Sequence, residues 1–121
     1  MKGQIPKGTN APENAVRIIT GRLGGKWLEK LGFAPGDVLT VAAAPGVITY
    51  HYQKNGLERA RELVKFARAN RMRLIQVQKK GPAAFIEIPE SCLKRAGIAP
   101  DETLIALYQP GQLQLQRPDL S

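Results

Sequence analysis

One cysteine, one histidine, one tryptophan and few other aromatics leave this 121-residue chain short of the residues that build most catalytic and metal sites. A lone Cys92 excludes an intrachain disulfide, and one cysteine with one histidine cannot complete a zinc site. No apolar run approaches the roughly 18 residues that a membrane span requires. The N-terminal stretch MKGQIPKGTNAPEN has no apolar segment behind its lysines, so it reads as a polar tail rather than a secretory signal. A cytoplasmic protein without membrane association or cofactor is the expectation. The seven Phe, Trp and Tyr residues fall mostly at apolar positions, so no stacking platform for single-stranded nucleic acid is evident. Gly24-Gly25-Lys26 lacks the spacing of a phosphate-binding loop.

Acidic residues are also scarce: ten Asp and Glu against eighteen Lys and Arg, a net charge of +8. The excess is localised. Residues 1–53 carry six basic and three acidic side chains, residues 54–80 nine and two, and residues 81–121 three and five. Solubility alone would spread the charge more evenly. A cationic middle segment favours a polyanionic partner, either nucleic acid or an acidic membrane surface.

What the chain does have is a repeat. Trp27–Tyr52 (WLEKLGFAPGDVLTVAAAPGVITYHY) and Cys92–Arg117 (CLKRAGIAPDETLIALYQPGQLQLQR) align without a gap at a spacing of 65 residues. Leu28/Leu93, Gly32/Gly97, Ala34/Ala99, Pro35/Pro100, Leu39/Leu104, Pro45/Pro110 and Gly46/Gly111 are identical. In each unit a short helix with one apolar face ends at a glycine, Gly32 or Gly97, followed by Phe33 or Ile98 placed to fold back on the last turn. Ala-Pro then forces extended or turn geometry. Two strands follow, joined by Pro-Gly: Val38–Ala43 with Val47–Tyr52, and Thr103–Tyr108 with Gln112–Arg117. Further strand-like runs precede the helices at Val16–Thr20, Leu74–Gln78 and Ala84–Ile88. The first unit lacks an evident counterpart of Leu74–Gln78, unless the tail near Gln4–Pro6 supplies it.

Between the units Leu57–Asn70 reads as a helix. Leu57, Ala60, Val64 and Ala67 form its apolar stripe, widened by Leu63 and Phe66. Arg61, Lys65 and Arg68 lie along another side, where like charges cost a little stability unless a partner neutralises them. The organisation expected is a tail over 1–14, a first unit over 15–53, a basic connecting helix over 54–71 and a second unit over 72–118. The fold class is mostly β with short helices (α+β).

These strings resemble a known family. LIQVQKKGPAAFIEIPESCLKRAGIAPDETLIALYQPGQLQLQ is similar to the SpoVT/AbrB (MazE-like) swapped-hairpin domain. The first unit, through GKWLEKLGFAPGD, is similar to the SymE toxin branch. The resemblance spans about two thirds of the chain. It implies an AbrB-like barrel of two interlocked units, closed within this chain or swapped between two chains as a homodimer. It also implies DNA binding through basic residues ahead of and on the helices. Those positions carry Arg17, Arg22, Lys26 and Lys30 in the first unit, and Arg73, Lys79, Lys80, Lys94 and Arg95 in the second. Acidic Glu87 and Glu90 depart from the pattern, so the expected face is asymmetric.

The leading expectation is a non-enzymatic nucleic-acid-binding regulator, with DNA favoured over RNA. Its contact residues would be Arg17, Arg22, Lys26, Lys30, Arg61, Lys65, Arg68, Arg73, Lys79 and Lys80, with Arg22, Arg17 and Gln78 as candidates to read base edges. A second expectation, implied by the SymE resemblance, is an endoribonuclease. Its sole histidine, His51, has no acid or base at a recognisable spacing, and catalysis needs a constellation. A third is an antitoxin-type module that binds a toxin partner through an arm.

Overall fold

The computed structural model describes residues 3–4 and 15–118, so the rest of the expected tail lies outside the described residues. In chain order the elements are β1 (Gly3–Gln4), β2 (Ala15–Arg17), β3 (Arg22–Gly24), α1 (Lys26–Lys30), β4 (Val38–Ala44) and β5 (Val47–Gln53). There follow α2 (Ala60–Ala69), β6 (Arg73–Gln76), β7 (Gln78–Lys80), β8 (Ala83–Glu87), α3 (Glu90–Ala96), β9 (Thr103–Gln109) and β10 (Gln112–Gln116). The protein is mostly β with a few short helices.

The repeat is visible bond by bond. Phe33 N–H donates to the Leu28 carbonyl and Gly32 N–H to Glu29; Ile98 donates to Leu93 and Gly97 to Lys94 in the same way. Gly32 (φ 96°) and Gly97 (φ 71°) are left-handed, so both helices end in the paired 6→1 and 5→2 bonds of a Schellman motif. The turn beyond is fastened by a carboxylate each time. Asp37 Oδ2 accepts from Ala34 N–H at 2.8 Å, and Glu102 Oε1 from Ala99 N–H at 3.0 Å. In the second unit Arg117 adds a tie: its guanidinium donates to Glu102 at 2.9 Å and to the carbonyl of Gly97. The Ala99 N–H first, and Arg117 after it, hold the Glu102 carboxyl below the usual carboxylate range.

The two units are not separate layers. β4 and β5 form one hairpin and β9 and β10 the other, and β5 lies antiparallel to β10. The outer strand on each hairpin comes from the opposite unit: β6 pairs β4, with Ile75 opposite Leu39, and β2 pairs β9, with Val16 opposite Leu104. The same exchange continues past the strands, where Ile18 N–H donates to Glu102 and Val77 N–H to Asp37. Arg22 stands opposite Glu87, and Thr49 opposite Gln114. Each of these pairs is separated in sequence by the 65-residue repeat, so every such residue meets its own equivalent. A pseudo-two-fold axis therefore passes through both pairs.

Two expectations need correction. The counterpart of Leu74–Gln78 exists: it is β2, which meets β9 as β6 meets β4. What the first unit lacks is β7. Ile19 and Arg22 close a two-residue turn whose central residues, Thr20 and Gly21, both have positive φ, as a type I′ hairpin requires. The second unit extends the same hairpin through β7 and a Gly81-Pro82 turn before β8. The strands also do not close into a barrel. They form an open seven-stranded sheet in the order β1-β9-β10-β5-β4-β6, with β2 also on β9, and a three-stranded sheet β3-β8-β7. Beyond Ile18 and Val77 the outer strands leave the larger sheet for the smaller one, instead of meeting each other.

One core fills the space between these sheets and the helices. Leu39, Val41, Ile48, Tyr50, Leu104, Leu113 and Leu115 enter from the large sheet, and Leu23, Ile86, Leu28, Phe33, Cys92 and Leu93 from the small sheet and the helices. Two tyrosines join it with their hydroxyls satisfied, Tyr50 on the Glu87 carbonyl at 3.3 Å and Tyr108 on the Leu31 carbonyl at 2.6 Å. The connecting helix is shorter than expected and turned: Leu63 and Ala67 are its buried residues, while Leu57, Val64 and Phe66 are exposed.

Gly56 and Gly32 separate two causes of glycine dependence. A Cβ on Gly56 would lie 2.3 Å from Val38 Cβ, whereas one on Gly32 would meet nothing within 4 Å. Gly32→Ala should cost only its left-handed strain, about 1–2 kcal/mol. Gly56→Ala should cost roughly 3 kcal/mol through overpacking, both read from urea midpoints. The depressed Glu102 carboxyl contributes stability that is full above its unfolded pKa of about 4.3 and lost as pH falls through the folded value. Urea midpoints from neutral to acid pH should therefore fall more steeply for the native chain than for Glu102→Gln.

Candidate nucleic-acid interface

Strand alternation decides which cations meet. On the small sheet Leu23 and Ile86 face the core, so their neighbours Arg22, Phe85 and Glu87 face outward. Arg22 is set there by the tight Thr20-Gly21 turn that precedes it. Its guanidinium lies 5.3 Å from the centroid of the Phe85 ring, within cation–π range, and 3.5 Å from Glu87 Oε2. Both partners of that ion pair are about half exposed. The Glu87 backbone carbonyl is meanwhile occupied by the Tyr50 hydroxyl, so β8 is held from beneath.

On this outward face Arg17, Arg22 and Lys80 converge on one groove of about 470 Å³. Exposed Ile19, Phe85 and the backbone of Gly24 and Gly25 complete its walls, and no carboxylate lines it. The three cations come from β2, β3 and β7. A second groove, about 780 Å³, adjoins the first at Thr20 and Arg22. Its walls are largely apolar, through Ile88, Leu93 and Ile98, and its charges are mixed: Arg22 and Lys94 with Glu87 and Glu90. Lys94 is itself 4.0 Å from Glu90 across one helical turn.

The remaining expected residues are distributed elsewhere. Lys79 alternates with Lys80 on β7 and so points to the opposite face of the hairpin, exposed but away from the groove. Gln78 shares the outward face with Arg22. Lys30 is exposed in the last turn of α1; Lys26 opens that helix, and its side chain is outside the described part. Arg73 on β6 donates to Ser91 Oγ at 3.2 Å, tying β6 to α3. Arg61, Lys65 and Arg68 are exposed on α2, which packs on β6 at the other end of the large sheet from β2. They form a separate basic surface.

Phe85 was not singled out by sequence reading: the alternation Ala83-Phe85-Glu87 puts it on one face with Glu87, but only the pairing of β8 with β3 brings it beside Arg22. His51 sits half-buried in β5 between Thr40 and Gln112, with no hydrogen bond or ion pair to a carboxylate among the described residues. Also among the described residues, no group of three His, Cys, Asp or Glu is placed to hold a metal ion, and no helix is long and apolar enough to cross a membrane. Burial pushes the Cys92 thiol up, away from the reactive thiolate. Comparison with protein-family models, curated proteins and solved structures finds no match to this chain.

Proposed function

We propose that this chain is a non-enzymatic nucleic-acid-binding protein, a DNA-binding regulator of the AbrB/SymE type whose two units form a pseudo-dimer within one chain. The observation that carries the reading is the convergence of Arg17, Arg22 and Lys80 on one groove without a carboxylate in its walls. Cations from three strands on one groove repel one another, and within the groove walls no carboxylate offsets that repulsion, so an entering anion would relieve it. Solvated Lys and Arg exchange counterions for phosphates, which is the main source of affinity for a nucleic-acid backbone. The exchange of outer strands between the units supports the swapped-hairpin resemblance, in which a basic surface ahead of the helix meets DNA.

The basic face of α2 extends the reading. Arg61, Lys65 and Arg68 lie on the exposed side of a helix that is anchored by Leu63 and Ala67, as suits a second run of phosphate contacts separate from the groove. Arg22 and Gln78, on the outward face of the small sheet, are the side chains best placed to read base edges; Arg17 opens onto the same groove. Duplex DNA is favoured over RNA by the resemblance, and over single strands by the scarcity of exposed aromatics.

A fluorescence titration with short mixed-sequence duplexes of DNA and RNA, over a series of salt concentrations, tests this. Binding should weaken steeply with salt. Arg17→Ala and Lys80→Ala should each lower the log–log salt slope by about 0.9, as for one lost phosphate contact. The triple substitution Arg61→Ala, Lys65→Ala, Arg68→Ala should lower it further still. A folded protein that binds no duplex at low salt would end the proposal.

A further inference from the structure

Arg22 and Glu87 are equivalent residues of the two units, and they meet on the pseudo-two-fold axis. Were the same architecture built from two identical chains, this position would face its own copy, and the charges there would match. A chain that carries both copies, unlike a pair of identical chains, can place a cation against an anion at that point. The pairing also has a geometry that matters for any ligand. Glu87 lines the mixed-charge groove and not the cationic one, whereas Arg22 lines both. The arginine therefore stands between a carboxylate on one side and an all-cationic cleft on the other.

Resting on the nucleic-acid reading above, we propose that Glu87 is an internal competitor of phosphate for Arg22, an autoinhibitory contact that sets the affinity of the cationic groove. At 3.5 Å, and with both side chains about half exposed, the ion pair is close enough to occupy the guanidinium and weak enough to yield. The Phe85 ring, 5.3 Å from the guanidinium carbon, holds the arginine plane on the sheet while its polar partner changes. A phosphate oxygen that enters from the groove accepts from Arg22 and replaces Glu87 as its counter-charge, and the freed carboxylate turns to solvent. Because Glu87 remains on the surface, it also repels the backbone of a ligand that approaches from its own side. One face of the axis is thereby favoured over the other, and the chain engages a duplex in a single orientation.

The test is a double-mutant cycle on the full chain, read by titration of a short mixed-sequence DNA duplex over several salt concentrations. Glu87→Gln keeps the shape of the side chain and leaves the backbone carbonyl to Tyr50. It should tighten binding about three- to tenfold at low salt and steepen the log–log salt slope by about 0.9. Glu58→Gln, which makes the same change of net charge beside a different crevice, should tighten it less than about twofold, as expected for a distant exposed charge. In an Arg22→Ala background the gain from Glu87→Gln should fall to that of the Glu58→Gln control, less than about twofold. Equal gains from Glu87→Gln and Glu58→Gln, or a gain that survives undiminished without Arg22, would overturn the competitor role while leaving the nucleic-acid reading in place. Failure of the native chain and of Glu87→Gln alike to bind, with both folded by circular dichroism, overturns the nucleic-acid reading and this inference with it.

Discussion

The exchange of outer strands, β2 onto β9 and β6 onto β4, is the constraint on which the rest of the structure depends. A unit of about fifty residues buries only a marginal apolar core by itself. Here neither unit completes its own sheet. Leu39 and Leu104, equivalent by the repeat, are each covered across the ladder by a residue of the other unit, Ile75 and Val16. The small sheet repeats the arrangement, because β3 and β8 pair across the axis and close the core over both helices. Local devices such as the Schellman glycines and the carboxylate-fastened turns hold each unit's helix to its hairpin. They cannot by themselves hold the halves together.

This division explains what could be read in advance. The helix ends, the Pro-Gly hairpins and the four long strands were legible because each is dictated by residues within a few positions of one another. The role of β2 was not, since a three-residue strand is defined by its partner, and that partner lies more than eighty residues away. The connecting helix shows the same limit. Its periodicity announces a helix, but β6 decides that Leu63 and Ala67 are the residues covered, and Val64 and Leu57 are left in water. For the candidate site, the individual cations were visible as charge, while the meeting of Arg17, Arg22 and Lys80 was not. It depends on a strand alternation that sends Lys79 and Lys80 to opposite faces.

The asymmetry between the units has an identifiable structural origin. Before the small-sheet hairpin the units are offset by 59 residues, since Val16 corresponds to Ile75, and after it by 65, since Arg22 corresponds to Glu87. The six additional residues lengthen both arms of that hairpin, into β7, which carries Lys79 and Lys80, and the part of β8 that faces it. β7 forms an edge of its sheet, and lysines on an edge also discourage pairing with a foreign strand. That role suits Lys79, which faces away from the groove. Lys80, on the outward face, completes a cluster that the first unit alone could not assemble.

Covalent continuity between β5 and β6 has a consequence of its own. When two separate chains exchange strands, their folding is a bimolecular reaction, and dilution dissociates and unfolds them together. Here the segment 54–72 keeps the second partner permanently at hand, at an effective concentration on the order of millimolar. The exchange of strands described here is thus a first-order step within one chain and not an encounter between two.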